Sequence, residues 1–152
     1  MAPIEPQRYW DDVIEGEALA DVVIPLSLHR LVVAAGANRD FNAIHHNSAM
    51  AQEAGAGEAY ANNIFLQGMW ERCVRAYIGN AGVIVKLCAF RMSSFNCAGD
   101  TVVTKGCVRR KWREQARHFV ELELRCENNR GTSVAPGSVI VTLPARRPTD
   151  TP

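Results

Sequence analysis

At 152 residues with 47% hydrophobic content, the chain fits one compact domain with a full core and leaves no room for a second of ordinary size. Lysine and arginine total 17 against 16 acidic residues, a net charge of +1, so no overall field draws it to nucleic acid or to an acidic membrane surface. The opening Met1-Ala2-Pro3-Ile4-Glu5-Pro6 lacks the basic-then-apolar pattern of a secretory signal, and no apolar run approaches the roughly 20 residues that span a bilayer. The expectation is a cytoplasmic protein without membrane contact.

Cys73, Cys88, Cys97, Cys107 and Cys126 are an odd number with no CxxC spacing, which argues for buried free thiols and against a disulfide framework or a metal knuckle. Residues 1–17, with Pro3, Pro6 and the cluster Trp10-Asp11-Asp12, read as an irregular arm over the surface of a domain spanning 18–143. Val22, Val23 and Ile24 suggest a first strand within 18–26, stopped near Pro25. Ser27 can cap a short helix running to about Ala35 and closed by Gly36. The stretch Asn38 to Asn42 reads as a polar loop, Ser48 as the cap of a second short helix to about Ala54, and Gly55-Ala56-Gly57 as a link.

Between Asn63 and Ile78, Leu66, Met69, Trp70, Cys73, Val74 and Tyr77 recur at three- and four-residue steps, the stripe of one buried helix. Past Gly79-Asn80 the pattern becomes strand-like over Val83–Phe90, Thr101–Val108, Phe119–Leu124 and Ser138–Leu143. Gly99-Asp100, Arg113-Glu114 and Asn128–Gly131 mark the turns of an expected antiparallel meander. One strand, a helical insertion and four strands make an α+β plan, a single curved antiparallel sheet wrapped around one long helix. Residues 144–152, with Pro144, Pro148 and Pro152, read as a flexible tail.

Chemistry concentrates in Asp40-Phe41-Asn42-Ala43-Ile44-His45. An aspartate and a histidine that converge on one water form a minimal acid/base pair, the carboxylate accepting a proton and the imidazole donating one. On residues alone a turn-forming Asp and a packed His explain the same segment.

The segment resembles the Asp-Phe-Asn-Pro-Ile-His motif of MaoC-like (R)-specific enoyl-CoA hydratases. Leu66-Gln67-Gly68-Met69 resembles that family's His-Gly-Met run at the start of its long helix, and Phe95-Asn96-Cys97-Ala98-Gly99-Asp100-Thr101 its Val-Gly-Asp turn. In order of elements the likeness covers residues 8 to 143. It implies a single hot-dog domain acting as a lyase on a 2-enoyl-CoA, with coenzyme A arriving as part of the substrate and no separate cofactor. It further implies that Asp40 acts as base toward the attacking water, His45 orients that water and protonates C2, and the Gly68 amide at the helix start donates to the thioester carbonyl. Asn42 and His46 then stand as substrate-binding candidates, and the basic run Arg109, Arg110, Lys111 as a candidate for the coenzyme phosphates.

The chain departs from the pattern at Ala43 (usually proline), Asn47 (usually aspartate) and Gln67 (usually histidine), and its helix lacks the serine many relatives place near the aspartate. Arg39-Asp40-Phe41, the doubled His45-His46 and Asn63-Ile64-Phe65 are more similar to small hydratase subunits of actinobacterial steroid side-chain degradation. That likeness implies a bulky acyl group and a second hot-dog chain as partner; the broader family implies a homodimer. The alternatives are a hot-dog acyl-CoA thioesterase and a catalytically weak binding subunit of a heteromeric hydratase.

Overall fold

The computed structural model describes residues 6–146. In chain order the elements are β1 (Val22–Pro25), α1 (Leu28–Ala37), α2 (Ser48–Glu53), α3 (Asn63–Ile78), β2 (Val83–Cys88), β3 (Arg91–Met92), β4 (Thr101–Glu114), β5 (Arg117–Asn128) and β6 (Gly131–Thr142). Short 3-10 turns at Trp10–Asp12 and Ala43–His45 complete the set. The α+β expectation holds: one antiparallel sheet curls around α3.

α3 buries Leu66, Met69, Trp70, Cys73 and Val74, as the periodicity foresaw, and Ile78 in place of the expected Tyr77, which is half-buried. Facing it are Val102, Val108, Val120, Leu122, Leu124, Cys126, Val134, Val139 and Val141, all within 1% of complete burial. Along β5 the buried positions alternate at Val120, Leu122, Leu124 and Cys126, as one face of a pleated strand must. Burying two such apolar faces against each other is the main drive for this architecture.

The sheet is not the simple meander expected. Its order is β1-β4-β5-β6-β2, with β3 also on β6. Only β4, β5 and β6 follow one another; β2 lands on the outer side of β6 because β1 occupies the free side of β4. The run Val83–Phe90 also breaks after Cys88, where Ala89 takes φ 58°, and β3 resumes the pairing on the same edge of β6 beyond Gly137. A side chain at Gly137 would place its Cβ 2.7 Å from the Cys88 carbonyl and 2.8 Å from that of Ala89, so this close approach requires glycine. The β4–β5 turn lies at Gln115-Ala116, past the expected Arg113-Glu114, and both strands are longer than their apolar cores.

Residues 8–17, ahead of β1, are tied to the rest of the domain by hydrogen bonds. Trp10 N–H donates to the Pro144 carbonyl at 2.9 Å, and Glu17 accepts from the Tyr77 hydroxyl of α3 and from Arg8. Burial pushes the Glu17 carboxyl up, but the Tyr77 and Arg8 donors outweigh it and hold it below its ordinary range. Of the expected tail, 147–152 lie outside the described residues. No helix among the described residues is long and apolar enough to cross a membrane.

Candidate active site

Ser27 caps α1 as expected, its hydroxyl accepting from Arg30 N–H at 3.1 Å. The helix does not close at Gly36, however; it runs to Ala37, and the left-handed residue is Arg39, at φ 55°. Asp40 N–H then returns to the Ala35 carbonyl at 2.9 Å and Arg39 N–H to that of Gly36 at 3.1 Å. This paired return is a Schellman closure, and it fixes the residue immediately after it, Asp40. The next turn is set by Asn42, whose Oδ1 accepts from Ile44 N–H at 3.3 Å and winds Ala43–His45 into one 3-10 turn.

His45 is thereby turned inward and is 6% exposed. Its Nδ1 lies 2.7 Å from the Tyr60 carbonyl, which can only accept, so Nδ1 carries the hydrogen. Nε2 is left to face Asp40 Oδ2 at 3.1 Å. A proton must lie between those two atoms, since two lone pairs at that distance repel. The Tyr60 ring meets the imidazole edge-on, 5.3 Å between centroids. Burial pushes the Tyr60 phenol up, with Cys97 and Asp40 adding to the effect, which keeps it neutral. The Asp40 carboxylate is about one-third exposed, so solvent or a ligand reaches the pair from that side.

Two residues that the motif did not point to complete this corner. Asn62 donates from Nδ2 to Asp40 Oδ2 at 3.1 Å, and Asn38 donates to Asn62 Oδ1 at 3.2 Å. Asn62 is also the N-cap of α3, accepting from Phe65 N–H at 2.8 Å. An Asn just ahead of an apolar helical stripe is a capping signature, and it was the available clue.

Three expectations need correction. Gly68 is not at the helix start, because the Asn62 cap begins α3 five residues earlier; its N–H falls inside the helical ladder, directed at the carbonyl four residues back. Ser48 does not cap α2. Asn47 does, accepting from the Ala49 and Met50 amides, while the Ser48 hydroxyl accepts from Ala59 N–H at 3.3 Å. The run Arg109, Arg110, Lys111 is not free: Arg109 pairs with Glu123 and Arg110 with Glu121, each at 2.6 Å, and Lys111 lies over the Trp10 ring at 4.4 Å. Asn42 and His46 are exposed beside the pair, with Asn42 Oδ1 already held by its turn.

A cavity of about 820 Å³ opens between α1, β1 and α3, and Gly68 lines it. Nothing lies within 4 Å of where a Gly68 Cβ would stand, so the glycine leaves the cavity wall open there. Asp40 and His45 do not line this space; Asn38 does, and the Asn38–Asn62–Asp40 chain of hydrogen bonds links it to the pair. Val23, Val33, Ile64 and Phe65 give the cavity an apolar wall. Arg30 and Arg72 give it two cations, His29 lines it beside them, and no carboxylate does. Among the described residues no cluster of three or more His, Cys, Asp or Glu could hold a metal ion, and all five cysteines are free thiols.

No protein-family model matches the sequence, and no curated protein matches it. Solved structures do match in shape. A chain of the ChsH1-ChsH2 complex from Mycobacterium tuberculosis is 22% identical with a TM-score of 0.77, over 86% of this chain and 98% of that one. The unliganded R-hydratase PhaJ1 from Pseudomonas aeruginosa is 17% identical with a TM-score of 0.79, over 95% and 93%. A MaoC-like dehydratase from Rhodospirillum rubrum is 15% identical with a TM-score of 0.76, over 93% and 99%. This chain is a hot-dog domain, with the architecture found in MaoC-like dehydratases and R-hydratases.

Proposed function

We propose that the protein is a hydratase that adds water across the 2,3 double bond of a 2-enoyl-CoA, reversibly, to give the 3-hydroxyacyl thioester. The observation that carries this reading is the 3.1 Å approach of Asp40 Oδ2 to His45 Nε2, with the Nδ1–H of the ring held by the Tyr60 carbonyl. A water bonded to both groups sits between a proton acceptor and a proton donor. Asp40 takes a proton from that water as its oxygen bonds to C3, the C2–C3 π electrons move toward the thioester, and His45 delivers its Nε2 proton to C2. Return of the captured proton from Asp40 to Nε2 then closes the cycle with one water added. The same pair run backward dehydrates the product. The R-hydratase and MaoC-like dehydratase folds that superpose on this chain support the reaction class.

The test is an enoyl-CoA assay that follows loss of the conjugated enoyl absorbance together with free thiol. Absorbance loss without thiol supports hydration; thiol release identifies a thioesterase.

On this reading the coenzyme phosphates belong with Arg30, Arg72 and His29, whose cavity carries no carboxylate, in place of the ion-paired Arg109 and Arg110. Arg72→Glu is expected to raise KM for a coenzyme A thioester about tenfold or more, the scale of one charge-assisted contact. KM for the phosphate-free pantetheine thioester should stay unchanged. An equal rise for both substrates would move the phosphate site elsewhere.

A partner subunit fits the exposed edge of the sheet. Among the described residues the outer edge of β2 is unpaired, and Val83, Val85 and Leu87 stand 54%, 44% and 38% exposed along it, a surface that sheet proteins cover. A second hot-dog domain, as a copy of this chain or as a different one, would seal it, in keeping with the two-component ChsH1-ChsH2 neighbour. Sedimentation should give twice the 16.8 kDa chain mass, or a single-chain species that gains turnover only with another polypeptide. A lone chain with full turnover would contradict this.

A further inference from the structure

We propose that Asn62, and not only the Asp40–His45 pair, is built into the reaction machinery, as the residue that positions the Asp40 carboxylate. This rests on the hydratase reading for its kinetic consequence, though not for its geometry.

Asn62 lies 22 residues from Asp40 in sequence and belongs to a different element, yet it is 6% exposed and every polar atom of its side chain is engaged. Its Oδ1 accepts twice, from Phe65 N–H at 2.8 Å and from Asn38 Nδ2 at 3.2 Å. Two donors on the oxygen fix the amide plane and its sense, so Nδ2 is forced toward Asp40. There it meets Oδ2, the same oxygen that His45 Nε2 faces at 3.1 Å. Oδ2 is therefore held from two directions, whereas Oδ1 of Asp40 has no protein partner among the described residues and lies on the accessible side. Oδ2 is the anchored oxygen, and Oδ1 is the one that meets the reacting water.

The geometry has a further consequence for how the site is assembled. Asp40 is set by the Schellman closure of α1, and Asn62 by the first turn of α3; their bond registers the loop that carries the base against the helix that fills the core. A hydrogen bond of this kind acts on kcat by holding the near-attack arrangement, where a displacement of about 1 Å lowers turnover on the order of a hundredfold.

Capping and positioning are separable. Ser and Thr cap a helix nearly as well as Asn, but neither carries the amide N–H that reaches Asp40, so a purely structural role for Asn62 leaves both substitutions nearly harmless. Asn62→Ser and Asn62→Thr are expected to stay close to the wild-type thermal midpoint and KM while kcat falls between about tenfold and a hundredfold. Wild-type kcat in both would overturn the proposal, and so would a loss confined to KM, which would mark Asn62 as a substrate contact. A substrate-free readout runs beside this: the nitrogen NMR signal of His45 Nε2 should move in both variants, because Oδ2 loses one of its two anchors. If the wild-type protein turned over no enoyl thioester, the hydratase reading would fall, and the His45 signal alone would still decide the role of Asn62. An unmoved signal in folded variants would overturn it.

Discussion

Asp40→Asn is expected to lower kcat for enoyl-CoA hydration by at least about a hundredfold while leaving the fold intact. The substitution preserves size and removes the property the mechanism uses, since an amide oxygen cannot hold a proton taken from water. The loss should be in kcat, because the carboxylate lies outside the cavity that would bind most of the substrate. Stability should change little, as the backbone amide of residue 40 and the Schellman closure do not depend on the side chain. His45→Ala is expected to cost at least as much, and the double variant little more than the worse single one, because two groups that share one proton act as a unit. Kinetics on the three variants, with circular dichroism to confirm folding, decide this. Near-normal turnover in either single variant would remove the pair from the mechanism.

The largest stability effect is expected at Trp70. The residue is fully buried, its ring meets Phe90 edge-to-face with centroids 4.9 Å apart, and its tip underlies Gly137, where a Cβ would come within 3.0 Å of it. It fills the space between α3 and the sheet beside the β2–β3 break. Trp70→Ala opens a cavity that the surrounding strands cannot close, for about 3–5 kcal/mol. Against a total stability of about 5–15 kcal/mol that is a large fraction, and the melting midpoint should fall by about 10 °C or more. Urea denaturation measures the change. A shift below about 1 kcal/mol would mean that α3 is held on the sheet chiefly by its other contacts.

The helix that Trp70 anchors was legible in the sequence because its information is local: six apolar residues at helical spacing leave no competing strand pattern. The β4, β5 and β6 runs were legible for the same reason. Strand order was not, because neither the pairing of β1 with β4 nor the jump of β2 to the far side of β6 leaves a mark on the apolar pattern. Arg109 and Arg110 looked like a basic run only because their partners, Glu123 and Glu121, lie across a β4–β5 register that a bulge between Val108 and Arg110 helps to set. Asp40 and His45 stood out as residues, but their pairing as acid and base followed only from the family resemblance, and the devices that aim them, the Schellman closure at Arg39 and the Asn42 turn, were not foreseen because α1 was expected to close at Gly36. Gly68 was misplaced because a motif was allowed to mark the helix start where a capping residue, Asn62, marks it physically. The bond from Asn62 to Asp40 was out of reach, being made only when α3 docks.

The central claim, that Asp40 and His45 direct water to C3 of an intact thioester, is tested most directly in water enriched in heavy oxygen. With an enoyl-CoA substrate the label is expected on the C3 hydroxyl of a product that still carries its coenzyme A, and Asp40→Asn should abolish it. Label in a free carboxylate, with coenzyme A released, would contradict the hydratase mechanism and place the attack at the carbonyl carbon.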